Sequence, residues 1–330
     1  MEMAAGGSSD QNMGEEGEVY HRDNIFEFFR NHTAYDMLPE SGKVILMDSS
    51  ISAYSAYSLM AANEQQSVPV WDSRSDRYCG TLTTTDLVQL ILLCAESKEH
   101  ESCVQGMRDM DLDHFISNYS RPPWGEQQAS LEVRPDDDLM SVLRTLIRSN
   151  CRVLPVVERE SVSVPIINQT IVGQVTYLLL FRFLYYHQEH DLGTLEGTLG
   201  DVGIGTLGAQ KIVTVHASET VRKALRLMHE HEISGIPVLN DEGLLMDMYC
   251  DADVLQLPDL DLDLNVGLAL EQARSRSSGP RYCCQIDDPL SKVVACFSTA
   301  KTARLACVNK QGVVEGVVTL TDLFKYLAGC

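Results

Sequence analysis

Apolar and polar positions along this chain fall into one pattern that returns four times. Each round opens with a short β-like run: KVILMD at 43–48, ASLEVR at 129–134, KIVTVH at 211–216 and YCCQID at 282–287. A segment with helical periodicity follows, as SAYSAYSLMAAN, DLMSVLRTLIRSN, ETVRKALRLMHEH and PLSKVVACFSTAK. In the third of these, Val221, Leu225 and Met228 fall on one helical face. Next comes a second β-like phrase: VPVW at 68–71, LPVV at 154–157, IPVL at 236–239 and LACV at 305–308. Polar turns follow it (DSRSDRY, NDEG and NKQG in three of the rounds), then another apolar run into a last helix.

The last part of each round is the most telling. GTLTTTDLVQLI at 80–91 and GVVTLTDLFKYL at 316–327 share a Gly six residues before an Asp, with Thr just before that Asp. VGQVTYLLLFRFL and MDMYCDADVLQL are variants, with Leu179 and Asp253 at the Asp position. The predicted unit is therefore β-α-β-β-α, an α/β fold in four copies. One copy is too small to close its apolar face, so the copies pack in pairs into two modules. The predicted repeats span 35–97, 126–187, 204–258 and 278–329, and an acidic Gly-rich tail at 1–22 is expected to be disordered. Linkers are expected near 98–126, 188–204 and 258–280, the last carrying PDLDLDLN as an edge strand or extended stretch.

Composition narrows the partners. A formal charge of −21 over 330 residues excludes nucleic acid and anionic membrane as main partners, so any anionic ligand needs a local basic pocket. The ten cysteines include no CxxC pair, which removes the usual zinc arrangement and points to a reduced cytosolic or nuclear compartment. MEMAAGGSSDQNMGEEGE lacks the basic and apolar regions of a signal peptide, and TYLLLFRFLYY is too short to span a bilayer.

Thr83-Thr-Thr-Asp86 and Thr319-Leu-Thr-Asp322 fit a capping box at a helix start. Two variations point beyond capping. Asp253 persists where Cys250 replaces the capping Thr, and Thr176 persists where Leu179 replaces the Asp.

The β-α-β-β-α unit with this terminal phrase resembles the cystathionine-β-synthase (CBS) domain. The ordered series of four resembles more closely the γ subunits of AMP-activated protein kinase, over roughly residues 30 to 329. HTAYDMLPESGKVILMDSSIS at 32–52, VPVWDS at 68–73, GTLTTTD at 80–86, IGT at 204–206, DLDLNVGLAL at 261–270 and RSRS at 274–277 carry that resemblance. It implies a flat pseudo-symmetric disc of two modules with adenine nucleotides in its clefts. It further implies a non-catalytic energy-sensing subunit held with a kinase catalytic α subunit and a scaffold β subunit, with AMP, ADP and ATP as ligands and no cofactor or metal.

On that resemblance Asp86, Asp253 and Asp322 match ribose-binding aspartates, as a vicinal diol suits a bidentate acceptor. Arg152, Arg274 and Arg304 lie at or near phosphate-contacting positions, where charge-assisted bonds are the strong ones. Thr83, Thr85, Thr319 and Thr321 offer hydroxyls to phosphate, and Thr206 matches a position at the adenosine. The chain also departs from the pattern. Gln66 stands where the family often has Arg, Arg152-Val153 where it has His-Arg, Ala303-Arg304 again for His-Arg, and Asn150 for a Lys. Arg152 is thereby displaced by one residue, toward the other face of its strand. Fewer basic groups should weaken every phosphate ligand and ATP most.

Other signals carry less. Gly203, Gly205 and Gly208 spell GxGxxG, but a polar linker precedes and the strand KIVTV follows, the wrong order for a dinucleotide fold. HQEH at 187–190 and HEHE at 229–232 fit surface histidines better than metal ligands. No catalytic constellation is present. Two alternatives stand beside the sensor: a constitutive scaffold subunit with weak or no nucleotide response, and a CBS regulator for another adenosyl ligand.

Overall fold

The computed structural model describes residues 24–40, 44–97, 102–119, 131–159, 169–207, 212–274 and 283–329. The predicted tail at 1–22 lies outside them, as does most of RSRS.

All four repeats are built alike, down to single registers. The opening run pairs in parallel with the third residue of the second phrase: Met47 with Val70, Val133 with Val156, Val215 with Val238 and Cys284 with Cys307. The phrase then pairs antiparallel with the strand after the turn, as Ser67–Asp72 with Arg77–Thr83 or Arg304–Val308 with Val314–Thr319. In every repeat the register shifts between the third and fourth residues of the phrase, at Val70/Trp71, Val156/Val157, Val238/Leu239 and Cys307/Val308. A bulge at one fixed place gives all four hairpins the same added twist.

The first helices are Ala53–Ala62, Leu139–Ser149, Val221–Glu230 and Leu290–Ala300. Ser52, Asp138 and Thr220 cap three of them through side-chain oxygens, while Pro289 begins the fourth with no side-chain cap. Their apolar stripes turn inward, with Val221, Ala224, Leu225 and Met228 buried together.

The second helices are Thr84–Glu96, Tyr177–Gly193 and Leu320–Leu327. Repeat 3 departs from the predicted pattern. Its last strand runs into a 3-10 segment, Asp251–Gln256, rather than an α-helix. Pro258 follows closely and biases the residue before it away from helix, so only a short tight turn fits.

The repeats close into a ring. Small sheet contacts join neighbours in sequence: Tyr78 with Val157 and Ile171 for repeats 1 and 2, Leu245 and Met248 with Ala306 and Val308 for repeats 3 and 4. The two large cores lie instead between helices of alternate repeats. One joins repeats 1 and 3, the other repeats 2 and 4. A fully buried Leu or Phe in either contributes about 1.5–3 kcal/mol. Ring order is therefore 1-2-4-3, the two-module disc that the resemblance implied.

The connecting segments are part of this architecture. The entry to repeat 1 packs on repeat 2, where Ala34 N–H donates to Asp137 O and Leu38 lies over Gly173. The entry to repeat 3 packs on repeat 4, where Thr206–Leu207 adds an edge strand beside Val317 and Gly316. Any side chain at Gly316 would meet Thr206 O and Leu207, so that position needs a bare Cα. The segments after repeats 1 and 3 fold back on their own first helices through the bridges Ser52–Asp111 and Thr220–Asn265. PDLDLDLN is thus not an edge strand: Leu260 and Leu262 are buried in the core of repeats 1 and 3, and Arg222 Nε donates to Asp263 Oδ1 at 3.1 Å.

Candidate functional site

The fold brings the start of the last helical segment of repeats 1 and 3 and the start of the second-phrase strand of repeats 2 and 4 to one junction. There Thr85 of repeat 1, Arg152 of repeat 2, Asp251 of repeat 3 and Arg304 of repeat 4 form one connected cluster. Thr85 Oγ1 donates to Asp251 Oδ2 at 2.6 Å and accepts from Arg152 Nη1 at 2.7 Å. Arg152 Nη1 also reaches Asp251 Oδ2 at 3.2 Å. Arg304 approaches the other carboxylate oxygen, Nη1 to Oδ1, at 3.6 Å. Its Nη1 donates to Ser234 O as well, and its stem lies flat over Gly235, where a Cβ would stand 2.6 Å from Arg304 Cδ.

The displacement of Arg152 by one residue does not separate it from Arg304. Arg304 starts its strand opposite Thr319, whereas Arg152 precedes its own strand. Both guanidiniums nevertheless reach the same carboxylate. Burial lowers Arg152 from its ordinary value and Asp251 opposes that shift. Asp251 is buried, Arg304 is 15% exposed and Arg152 is 44% exposed, so the cluster opens to solvent on the Arg152 side. Cys250 adjoins it, and burial pushes its thiol up to about 11, so it remains a neutral SH near Arg304 at neutral pH.

The three predicted ribose aspartates each cap a helix start. Asp86 Oδ2 accepts from Thr83 N–H at 2.8 Å and Thr83 Oγ1 at 2.6 Å. Asp322 Oδ2 accepts from Thr319 N–H at 2.9 Å and Thr319 Oγ1 at 2.6 Å. Asp253 Oδ2 accepts from Cys250 N–H at 2.7 Å. Asp253 thus keeps its capping place in repeat 3 although Cys250 stands where repeats 1 and 4 have Thr. In repeat 2 the other half survives: Leu179 N–H donates to Thr176 Oγ1 at 3.1 Å.

The remaining candidates are dispersed. Thr321 hydrogen-bonds with Tyr177 across the face between repeats 4 and 2. Thr206 is exposed and lies in register with Val317, two residues before Thr319. Arg274 ends the helix Val266–Arg274, and its side chain lies outside what the structure describes. Thr83 and Thr319 turn their hydroxyls to their own caps. Gly203 and Gly205 sit between a helix, Leu199–Val202, and a strand, Thr206–Leu207, the reverse of the dinucleotide order; Gly208 lies outside the described residues. Among the described residues no group of His, Cys, Asp and Glu is placed to hold a metal, and no helix is long and apolar enough to cross a membrane.

Asp251 was not foreseen from the sequence. The signal was there: the residue directly after the cap is Thr84, Tyr177 and Leu320 in the other repeats, all buried, and a carboxylate in that series is out of pattern.

Comparison with known proteins agrees with this architecture. The CBS domain model matches residues 204–258 and 278–329, the third and fourth repeats. A "5'-AMP-activated protein kinase subunit gamma" of Dictyostelium discoideum is 27% identical over 312 residues, covering 91% of this chain and 52% of that protein. Its counterpart in Saccharomyces cerevisiae is 26% identical over 309 residues, covering 92% of each. The γ-3 subunit of Bos taurus is 26% identical, covering 91% of this chain and 59% of the relative. The chain thus spans about half the length of the Dictyostelium relative and nearly all of the yeast one. A crystal structure from Methanocaldococcus jannaschii, titled a putative archaeal homolog of g-AMPK, aligns with TM-score 0.64 at 16% identity, over 89% of this chain and 99% of that one, a likeness of fold. The third and fourth repeats are CBS domains, and over about nine-tenths of its length the chain is similar to γ subunits of AMP-activated protein kinase.

Proposed function

We propose that this chain is a non-catalytic regulatory subunit that binds AMP, ADP and ATP at its CBS repeats. In this role it sits in the cytosol or nucleus with a kinase catalytic subunit and a scaffold β subunit, and reports the ratio of these nucleotides to the kinase. The observation that carries the proposal is the junction itself. Two guanidiniums and the Thr85 hydroxyl, from three different repeats, converge on one anionic centre in an otherwise acidic chain. Asp86, Asp253 and Asp322 stand at the third helical position of their repeats, and Asp322 caps back onto Thr319, whose strand carries the Thr206 edge. Nucleotide binding moves the kinase only through unequal affinity for its two states, and such coupling is typically about 1–3 kcal/mol.

Calorimetric titration of the purified chain with AMP, ADP and ATP tests the binding half. Asp322→Ala and Asp253→Ala should each remove a site or weaken it at least about tenfold, while Thr319→Ala, which disturbs only the cap, should not. Co-expression with catalytic and β subunits tests the assembly half; failure to co-purify would remove it.

The scaffold reading has one observation in its favour. Arg152 and Arg304 are already engaged by Asp251 and Ser234, so the basic groups at the junction serve the fold without a ligand. Retained assembly with no nucleotide heat would decide for it.

A further inference from the structure

Asp251 occupies a position that packing does not require to be acidic. Its counterparts Thr84, Tyr177 and Leu320 fill that place with uncharged side chains, all buried. A buried carboxylate is costly there unless it is paired. It is paired by three donors from three other repeats: Thr85 at 2.6 Å, Arg152 at 3.2 Å and Arg304 at 3.6 Å. This donor set, two guanidiniums and a hydroxyl on one carboxylate, is also what a phosphate monoester would require.

We infer that Asp251 is a built-in counter-anion, which holds Arg152 and Arg304 in place of a ligand phosphate and sets how strongly the chain takes anionic nucleotides. The inference rests on the proposed nucleotide reading and deepens it. A phosphate entering from the exposed Arg152 side must share or take over the donors that Asp251 now uses. With the carboxylate in place, each added ligand charge is repelled as well as attracted. Discrimination between adenosine and AMP is therefore small, and the further gain to ATP smaller. With the carboxylate removed, the same guanidiniums become uncompensated and favour the phosphate. Because one Asp251 oxygen serves Arg152 and the other faces Arg304, its release also loosens the link between repeats 2, 3 and 4.

The test compares the full chain with Asp251→Asn, which keeps the shape and an acceptor for Thr85. Adenosine, AMP, ATP and inorganic phosphate are titrated by calorimetry against each. The expected result is AMP affinity raised about tenfold or more by the substitution, equivalent to about 1.4 kcal/mol, with adenosine unchanged. In the unsubstituted protein AMP should bind less than about tenfold tighter than adenosine. AMP binding to both proteins with equal or weaker affinity in Asp251→Asn overturns the inference and leaves the nucleotide reading standing. No binding of adenosine or AMP to either protein overturns both. AMP bound only by Asp251→Asn supports the inference in its strongest form. Should the variant fail to fold, the unsubstituted series decides: AMP more than about tenfold tighter than adenosine overturns the inference.

Discussion

The two large faces of the ring use the same positions for different purposes. Between repeats 1 and 3, Thr85 stands against Asp251; between repeats 4 and 2, the equivalent Thr321 stands against Tyr177, the equivalent of Asp251. The first face ends in a charged cluster. The second ends in an aromatic one, where Tyr177 lies 5.9 Å from Phe324 and Phe29 6.1 Å from Phe324 between ring centroids. Burial pushes the Tyr177 phenol up to about 12, the Thr321 hydrogen bond opposing, so this pair stays neutral at any physiological pH. Equivalent positions thus carry one face built for cohesion and one with charge to exchange. The difference centres on the residue directly after the cap, Asp251 on one face and Tyr177 on the other, with Arg152 and Arg304 drawn to the carboxylate.

The largest test of that contrast is in the aromatic face. Phe324 is fully buried and touches elements of repeat 2 and of the chain entry. Phe324→Ala should lower stability by about 3–5 kcal/mol in denaturant unfolding, with nucleotide affinity per folded molecule unchanged. Coupled loss of affinity at full folding would show the two faces are not independent. Next comes the charged face. Arg304→Met leaves Asp251 with the Thr85 hydroxyl and, as its one remaining cation in the cluster, the more exposed Arg152, and should cost about 3 kcal/mol. Asp251→Asn in the same chain should recover a large part of that, because no unpaired buried carboxylate remains. A merely additive double variant would mean that Asp251 and Arg304 do not act as a pair. Smaller again is Tyr177→Phe, which removes one hydrogen bond at the neutral pair and should cost about 0.5–1.5 kcal/mol.

Much of this organisation was legible in the sequence, for identifiable reasons. Helix periods are strong where one face is buried and the other polar, as in Leu139–Ser149, Val221–Glu230 and Leu320–Leu327. The repetition of VPVW, LPVV, IPVL and LACV marks the strand that pairs on both sides. The 3-10 segment after Cys250 was not legible: its apolar pattern fits a helix, and the stop comes from Pro258 and the return of Leu260 and Leu262 to the core. The pairing of alternate repeats was equally hidden. Periodicity says that a face is buried but not which neighbour buries it. The same limit applied to the site. Arg152 and Arg304 stood out by type, yet their shared partner Asp251 emerged only when four distant segments met. The capping aspartates show the converse, since their local pattern already stated the hydrogen bonds that the fold displays.

The smallest expected effect separates the faces by acid. Asp138 caps the first helix of repeat 2 through Ser141 N–H at 2.9 Å and Ser141 Oγ at 2.6 Å. Burial raises its pKa, but those bonds outweigh burial and hold the carboxyl below the usual range. Ser52 and Thr220 do the same task on the other face with hydroxyls that do not titrate. A depressed folded pKa contributes stability that is present above the unfolded value of about 3.9 and is lost as pH falls through the folded one. Lowering the pH from 5 toward 3 should therefore loosen the helix Leu139–Ser149 more than Ala53–Ala62 or Val221–Glu230, by about 1 kcal/mol at most. Amide exchange resolved by segment would read it. Asp138→Ser should abolish the difference by giving repeat 2 a hydroxyl cap; if acid still loosened that helix selectively, the sensitivity would have to come from the packing of the entry segment on repeat 2 rather than from the cap.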